Sequence, residues 1–309
     1  MSRRWTALCL LSTLAPLLTG TPAIARELAP MVTFVEGPSV LVSAARGFMP
    51  APGVRLRGCD ILSTGPKALV QLEFDDGGII VVGPDSRLVV GMPGGGDAGI
   101  GPQFLVSGWV KLSVPKRDKS APHRIDTSAF EMSVDDGAVA LRTTAGGGQF
   151  FVERGAAMAL TRSSNARQSV VSGRSYTRLA DQPQGAVTSG AEPGFVKDLP
   201  RTLRDSLPSM MSHLKARDVP PKPAAGYSHA QTETWLNAVP ELRPCFADST
   251  IRNAQEALQK KGFDIGQVDG LLGPRTMAAL REFQQQHGLA RSGQLDAETL
   301  KALGAVEKR

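Results

Sequence analysis

The chain has 309 residues, a length typical of about two domains of ordinary size. Hydrophobic residues make up 41% and charged residues 21%, a globular composition that argues against wholesale disorder. The 33 glycines and 22 prolines are unusually many. At this density they would break most helices, so the composition excludes an all-helical protein.

The N-terminus has the pattern of a signal peptide. Arg3 and Arg4 precede an apolar stretch at 5–18, which is too short to cross a membrane, and Ala-Ile-Ala at 23–25 is a small-x-small cleavage site. The pattern predicts a signal peptide at 1–25 and a mature chain that starts at Arg26; the alternative is an uncleaved N-terminal anchor. No later stretch approaches membrane-spanning length, so no membrane span is expected after cleavage.

Cleavage changes the charge and leaves two cysteines. Losing Arg3 and Arg4 lowers the formal net charge from +6 to +4, which is too weak to indicate a nucleic-acid partner. Cys59 and Cys245 remain, in a compartment that permits disulfides. They could form one disulfide or stay as two separate thiols, and the sequence leaves both options open.

Residues 32–180 are predicted to be β-structure. At 70–74, Val, Leu and Phe alternate with Gln and Glu, the pattern of a half-buried strand. Asp-Asp-Gly-Gly at 75–78 then predicts a hairpin turn before the return strand 79–82. Asp-Asp-Gly recurs at 135–137 between two further strand patterns, and we interpret both acidic pairs as turns rather than metal sites.

Three segments of this region carry a family resemblance. They are Leu-Arg-Gly-Cys-Asp-Ile-Leu-Ser-Thr-Gly at 56–65, the alternating strand and Asp-Gly at 69–77, and Gly-Pro-Asp-Ser-Arg-Leu at 83–88. Together they resemble the FecR-like periplasmic domain, although Cys59 stands where that family usually has glycine. The resemblance implies an extracytoplasmic all-β domain that serves sensing or contacts with an envelope protein partner, with no catalytic residues to transfer.

Residues 181–247 are predicted to be a linker with short amphipathic helices. Leucines and a methionine recur at helical spacing through 195–215, but Pro200 and Pro208 should divide this stripe into two short helices. A further short amphipathic helix is predicted at 232–242.

Residues 248–304 are predicted to form a small all-α domain of three helices. The first helix covers about 250–261, followed by a glycine cap. The second begins at Pro274 and ends at 287–288, and the third is capped by Asp296.

The loops of this module carry a second resemblance. The blocks that match are Gly-Phe at 262–263, Val-Asp-Gly at 268–270, Leu-Gly at 272–273, Thr276, Phe-Gln at 283–284, Gly-Leu at 288–289, Gly293, Leu-Asp at 295–296 and Thr-Leu at 299–300. They resemble the three-helix peptidoglycan-binding domain, a family found attached to cell-wall hydrolases and transpeptidases.

That resemblance implies a groove for glycan-peptide near the Asp269-Gly270 loop and the start of the second helix. The candidate peptidoglycan-binding residues are Asp269, Gly270, Thr276 and Gln284. Each polar side chain also has a structural alternative, since Asp269 could only shape its turn, Thr276 could cap the helix and Gln284 could face solvent.

No set of residues indicates an enzyme. The four histidines lack zinc-ligand spacing, neither cysteine has the flanking motif of a murein transpeptidase, and no Gly-x-Ser-x-Gly motif is present. We therefore predict no catalytic residue, no metal and no cofactor. Paired carboxylates of a glycosidase leave no sequence signature, so a hydrolase stays as an alternative.

The sequence thus predicts a multidomain protein: a FecR-like β-domain at 32–180, a short helical connector and a three-helix domain at 248–304. The predicted function is that of a non-catalytic periplasmic protein of a Gram-negative envelope. It would bind peptidoglycan through the helical domain and present the β-domain for sensing or protein contacts. The alternative is a murein hydrolase, or a hydrolase accessory subunit, targeted to the cell wall by the same domain.

Overall fold

A computed structural model describes residues 29–43, 46–92, 101–117, 121–162, 164–205, 207–214, 219–224, 239, 242, 245 and 248–305. The predicted signal peptide and its cleavage site lie outside these residues. So does the predicted helix at 232–242, apart from Val239 and Leu242.

The described residues between 31 and 189 form mainly β-structure, as predicted. The strands in the described residues are β1 (Met31–Glu36), β2 (Ser39–Ser43), β3 (Arg46–Met49), β4 (Ile61–Thr64), β5 (Leu69–Glu73), β6 (Ile79–Val82), β7 (Arg87–Val89), β8 (Gln103–Val114), β9 (His123–Asp126), β10 (Glu131–Thr144), β11 (Gly147–Thr161), β12 (Ala166–Val171), β13 (Arg174–Leu179), β14 (Ala186–Ser189) and β15 (Lys222–Pro223).

The helices are short and come late in the chain. They are α1 (Pro193–Asp198), a 3-10 turn (Arg201–Leu203), α2 (Met211–Leu214), α3 (Ser249–Lys260), α4 (Pro274–Gln286) and α5 (Ala297–Leu303). Among the described residues, no helix combines the length and the apolar character that crossing a bilayer requires. The predicted fold class, an all-β domain followed by a small helical domain, is confirmed.

The long strand β8 organises the front of the β-domain. One ladder runs β1-β5-β6-β8 and a second runs β3-β2-β4-β7-β8, so both end on β8. Side chains from both ladders belong to one buried core, in which Leu41 and Leu62 lie with Leu72, Val82 and Leu112. The predicted hairpin at 75–78 is confirmed, because it joins β5 to β6 and Gly77 has a φ of 88°.

The second acidic turn was wrongly predicted. Residues 135–137 lie inside β10, where the register against β11 shifts between Ser133 and Asp136. Here β10 exchanges one neighbour for another, since 131–134 pair with β9 and 137–143 pair with β8. Gly137 lies directly opposite Gly155, and a Cβ on Gly137 would collide with the Arg154 carbonyl. An Asp-Gly pair serves a bulge as well as a hairpin, because both need backbone freedom.

The predicted polar face of β5 is buried rather than exposed. Gln71 and Glu73 are 0% and 2% exposed, because residues 193–214, here called the strap, cover this face. The Glu73 carboxylate accepts hydrogen bonds from the Ser209 hydroxyl at 2.5 Å and from the Met210 amide at 2.8 Å. Burial alone would raise the pKa of Glu73, but these bonds and one from Gln71 outweigh it and lower the pKa.

Apolar contacts hold the rest of the strap against the sheet. Phe195 packs on Trp109 with ring centroids 4.9 Å apart, and Leu203 is fully buried in the same cluster as Val81. The strap is interrupted at Pro200 and Pro208, as the sequence indicates. Residues predicted as a linker therefore form a layer of the β-domain over this span.

The three-helix domain has its own core and its predicted caps. Its buried residues include Leu258, Leu280, Phe283 and Leu303. Asp248 accepts hydrogen bonds from the first amides of α3, and Asp296 accepts one from the Thr299 amide at the start of α5. Because these caps are local in sequence, the boundaries of all three helices could be predicted within one or two residues.

Candidate functional site

A buried glutamine fixes the loop that was predicted to line the binding groove. Gln255 on α3 is fully buried; its Oε1 accepts a hydrogen bond from the Gly270 amide at 2.7 Å. Its Nε2 lies within donating distance of the Asp269 carboxylate (3.0 Å), the Leu271 carbonyl (3.0 Å) and the Thr276 hydroxyl (3.1 Å). One side chain thus ties the 267–271 loop to the start of α4.

Gln284 on α4 fixes the next loop in the same way. It is fully buried, and its Oε1 accepts a hydrogen bond from the Gly293 amide at 2.8 Å. Its Nε2 lies 2.9 Å from the Gln294 carbonyl and 3.0 Å from the Thr299 hydroxyl. We call these two arrangements the glutamine brackets.

The brackets reveal an internal repeat that the sequence analysis missed. Each unit has Arg-x-x-Gln on a helix, at 252–255 and at 281–284. Each then has a glycine followed six residues later by the threonine that the glutamine contacts, at 270–276 and at 293–299. The matching spacings were the signal that could have exposed the repeat.

Three of the four candidate binding residues meet at Gln255, the fourth lies in the second bracket, and most of the four face inward. Thr276 is 2% exposed, Gln284 is fully buried and Gly270 is buried, so Gln284 does not face solvent. The half-buried carboxylate of Asp269 accepts a hydrogen bond from the Leu271 amide at 3.0 Å and so shapes its own turn. In this structure Asp269, Gly270 and Thr276 hold the 267–271 loop in place, and Gln284 holds the 292–294 loop.

Exposed arginines surround the same loop. The Arg252 guanidinium donates to the carbonyls of Val268 at 3.2 Å and Asp269 at 3.3 Å. Arg275, also exposed, follows Pro274 at the start of α4 and lies close to Gly266. The rim of the loop therefore presents two cations beside backbone groups.

In the β-domain, the Asp75-Asp76 pair forms ion pairs. Asp76 Oδ2 lies 2.5 Å from Arg117 Nη1 and 3.0 Å from His123 Nε2, and its Oδ1 accepts from the Gly78 amide. Burial would raise the pKa of Asp76, but hydrogen bonds from His123, Gly78 and Arg117 outweigh it and hold the pKa well below the ordinary range. Within the described ranges, no group of His, Cys, Asp and Glu side chains has the arrangement of a metal site.

Asp76→Asn should lower the free energy of unfolding at pH 7 by about 1–3 kcal/mol, because the partly buried carboxylate beside Arg117 and His123 loses its negative charge. The native pKa is depressed, so the stabilisation is present above the unfolded-state pKa of about 4 and is lost as the pH falls through the native pKa. Urea unfolding at pH 7 and pH 3 should show the gap between wild type and variant closing at low pH. Asp75→Asn is the control: its pair with Arg55 is partly exposed at 3.3 Å, so we expect a loss below about 1 kcal/mol. A gap that persists unchanged at pH 3 would contradict this account.

The structure joins Cys59 and Cys245 in a disulfide, with Cα atoms 4.9 Å apart. Cys59 has a φ of 69°, a conformation that explains why glycine is usual at this position. Near the bond, Leu242 is fully buried against Val42, Ile61 and Phe104 of the β-domain. The β-domain and the segment before the helical domain are thus linked both covalently and by packing.

Comparison with known families gives the class of each domain. Residues 60–181 match the family described as "FecR protein", and residues 247–303 match the family described as "Putative peptidoglycan binding domain". The chain therefore carries a FecR-like β-domain followed by a three-helix domain of the peptidoglycan-binding family, as the two resemblances predicted.

Solved structures add a distant likeness. Two crystal structures, described as those of "a putative anti-sigma factor" from Parabacteroides distasonis ATCC 8503, are 11% identical with a TM-score of 0.36. The likeness covers 42% of this chain and spans 59% of the length of the crystallised one, so it carries no argument about function. No curated protein matches the chain.

Proposed function

We propose that this protein is exported to the bacterial envelope, binds peptidoglycan through residues 248–304 and presents its FecR-like β-domain for sensing or contacts with an envelope protein. The observation that carries this proposal is the complete helical domain, with its family match and both glutamine brackets formed. Neither matched family description names a catalytic activity, and the proposed role is non-catalytic.

The proposed binding surface is the rim of the 267–273 loop. Asp269, Gly270 and Thr276 act there as positioning residues, because their bonds to Gln255 fix the loop from inside. Gln284 positions the next loop, at 292–294. The groups that contact the ligand are exposed ones, and the main candidates are Arg252 and Arg275. Peptidoglycan stems carry carboxylates, and arginine pairs well with that group.

The first test is a pull-down with purified sacculi. We expect the mature chain to sediment with sacculi and a chain ending at Ala247 to remain in the supernatant. Arg252→Ala with Arg275→Ala should weaken binding several-fold. Lys260→Ala with Lys261→Ala removes the same charge from the other end of α3, about 12 Å away, and should leave binding unchanged. Equal sedimentation of the full and truncated chains would refute the proposal.

The hydrolase alternative has a separate readout. Sacculi incubated with the mature chain should release no soluble muropeptides above the level of a buffer control. Release that scales with protein concentration would replace the non-catalytic role with a hydrolytic one, whatever the pull-down shows.

A further inference from the structure

The chain is attached to the β-domain at two places, one before residues 225–238 and one after them. The Val219 amide donates to the Gly53 carbonyl, the Ala224 amide donates to the Gly47 carbonyl, and β15 between them pairs with β3. The second attachment is the pair formed by Leu242 and the disulfide of Cys245. The helical domain begins at Asp248, which caps α3.

Only Phe246 and Ala247 separate the disulfide from Asp248. Consecutive Cα atoms are 3.8 Å apart, so the Cα of Asp248 lies at most about 11 Å from the Cα of Cys245. Without the second attachment the nearest fixed point is Ala224, 24 residues before Asp248. A random-coil chain of 24 residues has an end-to-end distance of about 25 Å. The second attachment, which the disulfide forms together with Leu242, therefore limits how far the helical domain can move from the β-domain.

The backbone around Cys59 is fixed to the β-domain by hydrogen bonds. It lies in the turn before β4, where its amide donates to the Val90 carbonyl at 2.6 Å and the following Asp60 amide donates to the Arg57 carbonyl. Cys59 and Cys245 are both partly exposed.

We propose that the Cys59–Cys245 disulfide forms in the exported protein and is a tether that keeps the helical domain beside the β-domain, and that reduction lengthens the connection. The tether rests on the proposed export, because an oxidising compartment is where such bonds persist. Formation transfers two electrons and two protons from the two thiols to the disulfide of a thiol–disulfide oxidoreductase, which becomes a dithiol. Reduction by a dithiol runs the exchange in reverse.

Thiol titration and peptide mapping test whether the bond forms. The chain from Arg26 holds only these two cysteines, so we expect no reactive thiol in the native protein and one linked peptide pair. Two titratable thiols in protein isolated from the envelope would overturn the proposal.

Small-angle scattering of the full mature chain, without sacculi, tests the tether. The triple variant Cys59→Ser, Cys245→Ser, Leu242→Asp should increase the maximum dimension by about 10–20 Å, the difference between the two spans. Leu242→Asp alone should keep the oxidised dimension, because the disulfide holds, and should extend when dithiothreitol is added. Dithiothreitol should have no effect on the triple variant.

An unchanged maximum dimension in the triple variant would overturn the tether, since both parts of the second attachment, the disulfide and Leu242, are then removed. The scattering measurement does not involve peptidoglycan. Loss of sacculus binding would therefore refute the proposed function and leave the tether standing. An unchanged maximum dimension would refute the tether and leave the proposed function standing.

Discussion

Gln284→Ala should lower the free energy of unfolding of the three-helix domain by about 2–4 kcal/mol. The change leaves the buried Gly293 amide, the Gln294 carbonyl and the Thr299 hydroxyl without the partner they have now. Each buried polar group without a partner costs about 1–3 kcal/mol. A domain of this size has a total stability of only about 3–8 kcal/mol, so roughly half of it should be lost.

Hydrogen exchange of α4 and α5 in the full chain measures this effect. We expect protection of these helices to fall by a factor of about 30 or more, since each 1.4 kcal/mol is a tenfold change. Gln285→Ala is the matched control, because its side chain is exposed on the same helix, and it should change protection little. Equal protection in the two variants would show that the bracket does not stabilise the domain.

Phe130→Ala should lower the free energy of unfolding of the β-domain by about 3–5 kcal/mol. Phe130 packs edge-on against Phe150 at 5.5 Å and Tyr176 at 5.1 Å, and all three rings are at most 1% exposed. Phe130 lies directly before β10, Phe150 on β11 and Tyr176 on β13, and the protein has few aromatics with which to refill the space. A cavity at this point therefore weakens contacts between several strands.

Urea unfolding followed by tryptophan fluorescence measures this loss, because Trp109 is buried in the β-domain. Phe34→Ala is the control, since Phe34 is 38% exposed on β1 and should shift the midpoint far less. A Phe130→Ala midpoint within error of the Phe34→Ala midpoint would contradict the packing described for this cluster.

Features set by neighbouring residues could be predicted, and features set by distant ones could not. The ends of α3, α4 and α5 follow from caps within a few residues, and the 75–78 hairpin follows from its own Asp-Gly. The burial of Glu73 depends on Ser209, 136 positions later, which no local pattern signals. The 135–137 bulge depends on β10 exchanging one partner strand for another, which is a property of the whole sheet.

The candidate site divides in the same way. The family resemblance located the loop around Asp269, but the direction in which its side chains point depends on Gln255, which lies on another helix. Thr276 and Gln284 were expected near the ligand, and the structure shows them buried in the brackets. A polar residue in a family motif can thus belong to the frame of a site rather than to its surface.

We propose that residues 248–304 bind peptidoglycan by themselves. The most direct measurement fuses residues 246–309 to a fluorescent protein and determines the fraction that sediments with purified sacculi. The fusion is expected to sediment like the full mature chain, and the same fusion with Arg252→Ala and Arg275→Ala is expected to sediment several-fold less. A fusion that keeps its native helices yet stays in the supernatant would show that these residues do not bind peptidoglycan by themselves.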